Sequence, residues 1–387
     1  MPNAAHEFSF IQSCGSSTGS RECRIGAVVS WKFPRGVASM ASAEVVSIRP
    51  QQQDAERVLQ LGTGFVFTAA LQPIVRLKIP DLLAKGPAAV SELAAQTGVN
   101  ADALYRVLRL LASAGVVQEL QGKTFASTSV SEMLRSDVPG TMRDMVLWMS
   151  NPFHFKVWGE LGYSVETGKP AVEHVYAKPA FEAIFGDPEI ACDFNDAMSC
   201  FSRMIAPALL EAYDFSGIGT LVDIAGGHGA VLCEVLSRYP KMKGILFDMP
   251  NVIQEATCHI CNLKMDERCQ TISGDFFEQI PAGGDAYYMQ HIIHDWDDEA
   301  ALKILGNCHR ALEGNPNGRL LIVDGVVPQN SEPHMSKLLD LEMLLMPGGR
   351  ERTEPEWHEL MNKAGFEITR IVPMKAAESV IEARVKR

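Results

Sequence analysis

The residues best equipped for chemistry lie in one run, HIIHDWDDE, from His291 to Glu299, with two histidines and four acids in nine positions. Three uses compete for it. Imidazoles with an acid ligate metals. Acids at a helix start cap it and meet its dipole. A single imidazole at an open edge moves protons near neutral pH. A metal would need His291 and His294 on one face, yet residues three apart at a strand end point to opposite faces. The HExxH spacing of a zinc helix is also missing, so no metal is expected. Asp295 or Asp297 can open the helix expected over EAALKILGNCHRAL, which accounts for the acids. His294, at the end of an apolar run, then stands as the candidate general base.

A second constellation precedes it. TLVDIAGGHGA reads as a strand running into a glycine-rich turn, with Asp223, Ala225, Gly226, Gly227 and Gly229 in or beside that turn. The next strand, GILFDMP, ends in Asp248, an acid suited to both hydroxyls of a ribose. Asp275, in SGDFF, is placed to receive an adenine amino group. The third glycine of the dinucleotide fingerprint GxGxxG is absent, and Asp223 would repel a pyrophosphate. A sulfonium and an ammonium suit such acidic surroundings, so the ordered set favours S-adenosylmethionine over a nicotinamide cofactor.

These residues need a scaffold. From about residue 214 to the end, strands alternate with helices, the pattern of an α/β, doubly wound, Rossmann-like parallel sheet. Ligands of such sheets bind at the carboxyl ends of the strands, where both constellations fall. Residues 141–213 read as helical and are rich in Trp, Phe and Met, a texture suited to core and to an apolar ligand pocket. In residues 45–140, ERVLQLGTGFVFTAALQPIVRL shows a wide apolar stripe that needs a cover, and a partner subunit is one candidate. Ser91 and Asn100 are N-cap candidates for two short helices, the first ending near Gly98 and the second at Gly115. A small hairpin around Gln121-Gly122 completes a winged-helix outline. The second of those helices, ADALYRVLRLLAS, offers a DNA groove only Arg106 and Arg109, opposed by Asp102. A structural or dimerising role is expected instead.

Bulk properties agree. The 387 residues carry a net charge of −12, with 47% hydrophobic and 21% charged residues. That is a globular composition without the basic face nucleic acid requires. No apolar run is long enough to span a bilayer. Nine cysteines lie without a disulfide framework, as in a reduced, cytoplasmic protein; Cys258 and Cys261 form a lone CxxC. Residues 1–44 read as a disordered extension, and Met40 is an alternative start of translation.

From about residue 55 the chain resembles the small-molecule O-methyltransferases of the caffeic acid and hydroxyneurosporene O-methyltransferase type. The matching pieces are ALYRVLRLLASAGV, FNDAMS, LVDIAGGHGA, GILFDMPNVI, GDFF, HDWDDE, LLIVDGVVP and PGGRERTEPEW, in that order. The resemblance implies a class I methyltransferase domain, a winged-helix-like dimerisation domain making a homodimer, and a small hydroxylated acceptor. It places the base at His294, with Asp324 and Glu351 as the acids that orient it. Cofactor contacts fall on Ser202, Ala225, Gly226, Gly227, Gly229, Asp248, Asp275, Phe276 and Gln290. Met198 and Met343 fall in the acceptor pocket, to which Phe153 is added from the aromatic middle. Ala225 stands where most members have glycine, Gln290 where plant members often have lysine, and Asp324 where they commonly have glutamate. A hydroxylase or decarboxylase on the same fold, and a winged-helix regulator, are the competing readings.

Overall fold

The protein was analysed as a computed structural model that describes residues 52–386. The expectations for residues 1–44, including the role of Met40, lie outside the described residues.

The first apolar stripe is broken into two helices, Gln52–Gly62 and Gly64–Arg76, bent by 41°. The Thr63 hydroxyl donates to the Leu59 carbonyl at 2.7 Å where the ladder stops. Among the described residues no single helix is long and apolar enough to cross a membrane, and this bent pair passes only when joined. Val58, Leu59, Leu61 and Phe65 are left more than 60% exposed.

A three-stranded sheet follows, ordered β1 (Ala88–Ala89), β3 (Thr124–Ser127), β2 (Val117–Leu120). Helices Val90–Thr97 and Ala101–Ser113 lie between its strands. Asn100 caps the second helix, accepting from the Ala103 amide at 2.9 Å. Ser91 caps nothing. The first helix begins two residues earlier, with Ala89 at the N-cap and the Glu92 carboxylate accepting the Ala89 amide at 3.2 Å. A short β-bridge to the wing fixes Ala89 as extended, and so overrides the local preference for serine.

The large sheet has seven strands: β4 (Thr220–Ile224), β5 (Lys243–Asp248), β6 (Cys269–Ser273), β7 (Ala286–Gln290), β8 (Arg319–Gly325), β9 (Phe366–Pro373) and β10 (Glu378–Val385). Their order is β6-β5-β4-β7-β8-β10-β9. Strands β4 to β8 pair in parallel, while β10 runs antiparallel to both β8 and β9. The chain leaves β4 toward β5 and β6, then returns to place β7 on the other side of β4. The switch in strand order therefore lies between β4 and β7, where such sheets bind ligands. Both faces are covered, so the central strands β4, β7 and β8 are mostly apolar. Leu221, Leu246, Tyr288, Leu321 and Val380 pack on one face. Val222, Phe247, Tyr287, Ile322 and Ile381 pack on the other, with Trp357 and Leu360 of helix Glu354–Lys363.

One buried cation ties the end of β7 to the loop after helix Met335–Leu345. The Arg352 side chain is 1% exposed. It donates to the carbonyls of Ile293 and Trp296 at 3.2 and 3.1 Å and to Asp298 Oδ1 at 2.8 Å. Its guanidinium lies over the Trp357 ring at 5.6 Å. A lysine keeps the charge but cannot serve two carbonyls and a carboxylate at once. Arg352→Lys should therefore lower the unfolding free energy by about 2–3 kcal/mol, measured by urea denaturation. A change below about 0.5 kcal/mol would show that the guanidinium does not hold this turn.

Candidate active site

The loop after β4 is built for close approach. Ala225, Gly227 and Gly229 take left-handed φ values of 54°, 58° and 77°. The methyl at Ala225 carries a conformational cost, about 1–2 kcal/mol for a non-glycine residue there. At Gly226 any Cβ would lie 2.4 Å from Asp223 Oδ2 and 2.6 Å from Leu246, so only glycine fits. Asp248 fastens this loop, accepting the Gly227 amide at 2.8 Å through Oδ2 and the Met249 amide at 2.7 Å through Oδ1. Its carbonyl takes the Gly274 amide at 3.0 Å, which brings Asp275 and Phe276 alongside. Asp275 accepts the Phe277 amide through Oδ1 at 2.7 Å. Burial, reinforced by the Asp248 charge, lifts the Asp223 carboxyl to about 8. A glycine cradle lined by a buried acid, Asp223, and a half-buried one, Asp248, fits a cationic nucleoside. Asp223, Gly226, Gly227 and Asp248 are the residues that would hold S-adenosylmethionine.

On the other side of the switch point, His294 sits in the short 3-10 turn Ile293–Asp295, 4% exposed. Its Nδ1 is 2.7 Å from Glu351 Oε1 and 3.9 Å from Asp324 Oδ1. The two acids therefore act unequally. Glu351 holds the ring; Asp324, fully buried and with no hydrogen bond to either oxygen, acts only through its charge. Aspartate is one methylene too short for the contact a glutamate could make there. Two features fix Glu351: its amide donates to Asp340 Oδ1 at 2.9 Å, and the Arg350 amide donates to the His294 carbonyl at 2.8 Å. Between them Gly349 lies so close to the turn that a Cβ would strike the His294 carbonyl.

Burial pushes the His294 imidazole down. Asp324, the hydrogen bond to Glu351, and Asp295 outweigh it and carry the ring up to about 10. An imidazole alone titrates at about 6.5; the surrounding acids change that. Burial in turn lifts Asp324 to about 7 and Asp295 to about 6.

The remaining candidates lie on several other elements. Phe201, which precedes Ser202 on helix Pro188–Ala212, lies edge-on to the His291 ring at 5.2 Å. Met198 is 38% exposed on the same helix, and Met343 is buried on Met335–Leu345. Phe153 is 4% exposed and stacked on Tyr176 at 4.4 Å. It belongs to a packed cluster with Trp148, Leu345 and Met346. Gln290 accepts the Tyr288 hydroxyl at 2.6 Å. Asp297, not Asp295, caps the following helix, accepting the Ala300 amide at 2.9 Å.

His291 and His294, expected to face apart, lie side by side. β7 ends at Gln290, and His291 takes a left-handed φ of 53°, which breaks the strand's alternation. The two rings lie 4.9 Å apart, and atoms of His291, His294 and Asp324 lie within 4.8 Å of one another. Glu378 was also missed. It arrives at the ligand edge because β10 is antiparallel, so its first residue meets the carboxyl ends of the other strands.

Residues 158–367 match the O-methyltransferase domain family, and residues 59–137 match the O-methyltransferase dimerisation domain family. A phenazine O-methyltransferase of Lysobacter antibioticus is 38% identical over 327 residues, 84% of this chain and 95% of the relative. An 8-amino-8-demethylriboflavin N,N-dimethyltransferase of Streptomyces davaonensis is 34% identical over 337 residues, 87% of this chain and 96% of the relative. Human N-acetylserotonin methyltransferase, solved in complex with S-adenosylmethionine, aligns with a TM-score of 0.79 at 26% identity, over 87% of this chain and 99% of its own.

With its carboxyl at about 8, Asp223 is mostly neutral at pH 7 in the cofactor-free protein. A bound cation favours the carboxylate, so binding must expel the proton. Titration of S-adenosylmethionine at pH 7, in buffers of different ionisation enthalpy, should show release of about one proton. Affinity should rise with pH toward 8, and Asp223→Asn should remove the release. No proton change in the wild type would mean that Asp223 is already charged.

Proposed function

The chain belongs to the O-methyltransferase family and is an S-adenosylmethionine-dependent O-methyltransferase; within that activity we propose that His294 is the general base and Glu351 the acid that orients it. The observation that carries this reading is the 2.7 Å contact between His294 Nδ1 and Glu351 Oε1. It leaves Nε2 as the nitrogen available to an acceptor. The acceptor is a small aromatic or polyketide-like molecule carrying a hydroxyl. The relatives named for phenazine and flavin substrates support a flat ring system.

Bound S-adenosylmethionine supplies an electrophilic methyl on a sulfonium sulfur. A phenol near pKa 10 is mostly protonated at neutral pH and is a poor nucleophile. At about 10 the His294 imidazolium matches such a phenol, so a proton between the two oxygen and nitrogen atoms moves at little cost. Glu351 and Asp324 stabilise the imidazolium that forms. An amine acceptor, as in the flavin relative's name, has a lone pair without deprotonation and would not need this dyad. The buried acids around His294 therefore favour a hydroxyl. Non-methylating chemistry on this fold leaves the dyad without a task, and the helix Ala101–Ser113 buries Leu104, Leu108 and Leu111 in its own domain.

A homodimer in the cytoplasm completes the reading. Its support is the match to the dimerisation domain family and the apolar face of Val58, Leu59, Leu61 and Phe65. The cytoplasm is read from cysteines without a disulfide framework.

His294→Ala should leave cofactor affinity nearly unchanged while turnover falls about 10²–10⁴-fold. The loss should shrink at high pH and on a nitro-substituted phenol, which ionises unaided. Glu351→Gln should cost more than Asp324→Asn, because only Glu351 is bonded to the ring. Equal losses on both phenols at every pH would show that His294 positions the acceptor and takes no proton. The dimer is tested separately. Light scattering should show the wild type dimeric at micromolar concentration and Phe65→Ser shifted toward monomer; a monomeric wild type would refute the interface.

A further inference from the structure

Asp340, which fixes the Glu351 backbone, rides on a helix that the core grips weakly. Of the eleven residues of Met335–Leu345, only Ser336, Met343 and Leu345 are buried. Met335, Leu338 and Leu341 are exposed. Apolar burial is non-directional, and on so few residues it does little to fix rotation about the helix axis. A polar contact does fix it. The Glu342 side chain is 15% exposed, and both its carboxylate oxygens are taken by helix Pro152–Gly159. Oε1 lies 2.6 Å from His154 Nε2, and Oε2 accepts the Trp158 indole N–H at 2.8 Å. His154 is 3% exposed, with Nδ1 3.3 Å from the Met149 carbonyl and its ring 5.2 Å from that of Trp148. Burial alone would push this imidazole down, but Glu342 outweighs burial and carries it above the ordinary value.

Glu342 and Asp340 stand two residues apart. In an α-helix such side chains leave the axis on roughly opposite sides. One is bound to Pro152–Gly159, the other to the Glu351 amide. A rotation that frees Glu342 therefore also carries Asp340 off that amide. The segment then runs on through Gly349, pressed against the His294 carbonyl, to Glu351 itself. Stability alone is a poor reason for this arrangement, since apolar residues of equal volume often match a buried ion pair. What the pair adds over apolar packing is direction.

We propose that Glu342, held by His154 and Trp158, is a positioning residue of the methyl transfer: it fixes the rotation of helix Met335–Leu345, so that Asp340 keeps Glu351 against His294. This rests on the reading of His294 as the base and Glu351 as the acid that orients it. Glu342 acts through Asp340 and Glu351 and exchanges no proton with the acceptor.

The test reads His294 directly, in the full-length protein with isotopically labelled histidine, by an NMR titration assigned from the His294→Ala spectrum. His294 faces Glu351, Asp324, Asp295 and His291, and of these Glu351 is the one held by Asp340. Glu342→Leu removes both contacts and should lower the His294 midpoint by about one pH unit, the usual effect of moving an opposite charge away. Glu342→Gln can still accept from Trp158 and donate to a neutral His154, so it should restore most of the midpoint. Asp340→Ala should act as Glu342→Leu does, and the double variant should go little further. Unchanged binding of S-adenosylmethionine by calorimetry shows that each variant is folded. Where Glu342→Leu does not bind, Trp158→Phe, which removes one contact, carries the same test with a smaller shift. On a hydroxyphenazine, kcat should fall about 10–100-fold with the KM for S-adenosylmethionine unchanged. A lower thermal midpoint with an unmoved His294 titration would show that the contact only stabilises the helix, and would overturn the proposal. So would additive shifts from Glu342→Leu and Asp340→Ala. Wild-type turnover in His294→Ala refutes the base reading whatever the titration shows; an unmoved titration beside an impaired His294→Ala refutes the positioning alone.

Discussion

Three buried acids, Asp324, Glu351 and Glu378, and the half-buried Asp295 crowd two imidazoles, His291 and His294. An isolated charge in such a place is prohibitively costly, and even a paired one seldom repays its desolvation. The cluster persists only if its charges are held in fixed relation. Much of the local architecture meets that demand. Arg352 clamps the turn that carries His294, Asp340 fixes the Glu351 backbone, and Gly349 lets the two segments approach within backbone contact. None of these three touches the reaction, yet each limits where the imidazole can point.

The acid excess also links the two halves of the site. The cofactor loop holds Asp223 at about 8 and the base turn holds His294 at about 10. A cation bound at the cofactor loop would favour the Asp223 carboxylate over its neutral form, while the acids around His294 hold that ring's affinity for a proton close to a phenol's.

Legibility in the sequence followed the range of each interaction. The strand-turn-helix of TLVDIAGGHGA and the acid ending GILFDMP are local, and each appeared where it was read. So did the Asn100 cap, a contact spanning three residues. The N-cap at Ala89 did not, because a strand pairing with Thr124 decides it. His291 was dismissed by strand alternation, a sound rule applied one residue past the strand's end. Glu378 could not be found by any local pattern, since only the antiparallel direction of β10 brings its first residue to the ligand edge. Arg352 lay in plain view in GGRERT, but its value depends on two carbonyls and a carboxylate 54 to 59 positions away.

A strongly raised imidazole looks at first ill suited to a base, because it is charged when it should be empty. The objection weighs the histidine alone. In a dry site the relevant quantity is the difference between imidazolium and phenol, and here the two are close. A histidine left near 6.5 would take the proton from such a phenol only uphill by several factors of ten, before the methyl had moved. Surrounding it with acids removes most of that slope. The cost is that the free enzyme must surrender a proton before His294 can accept one.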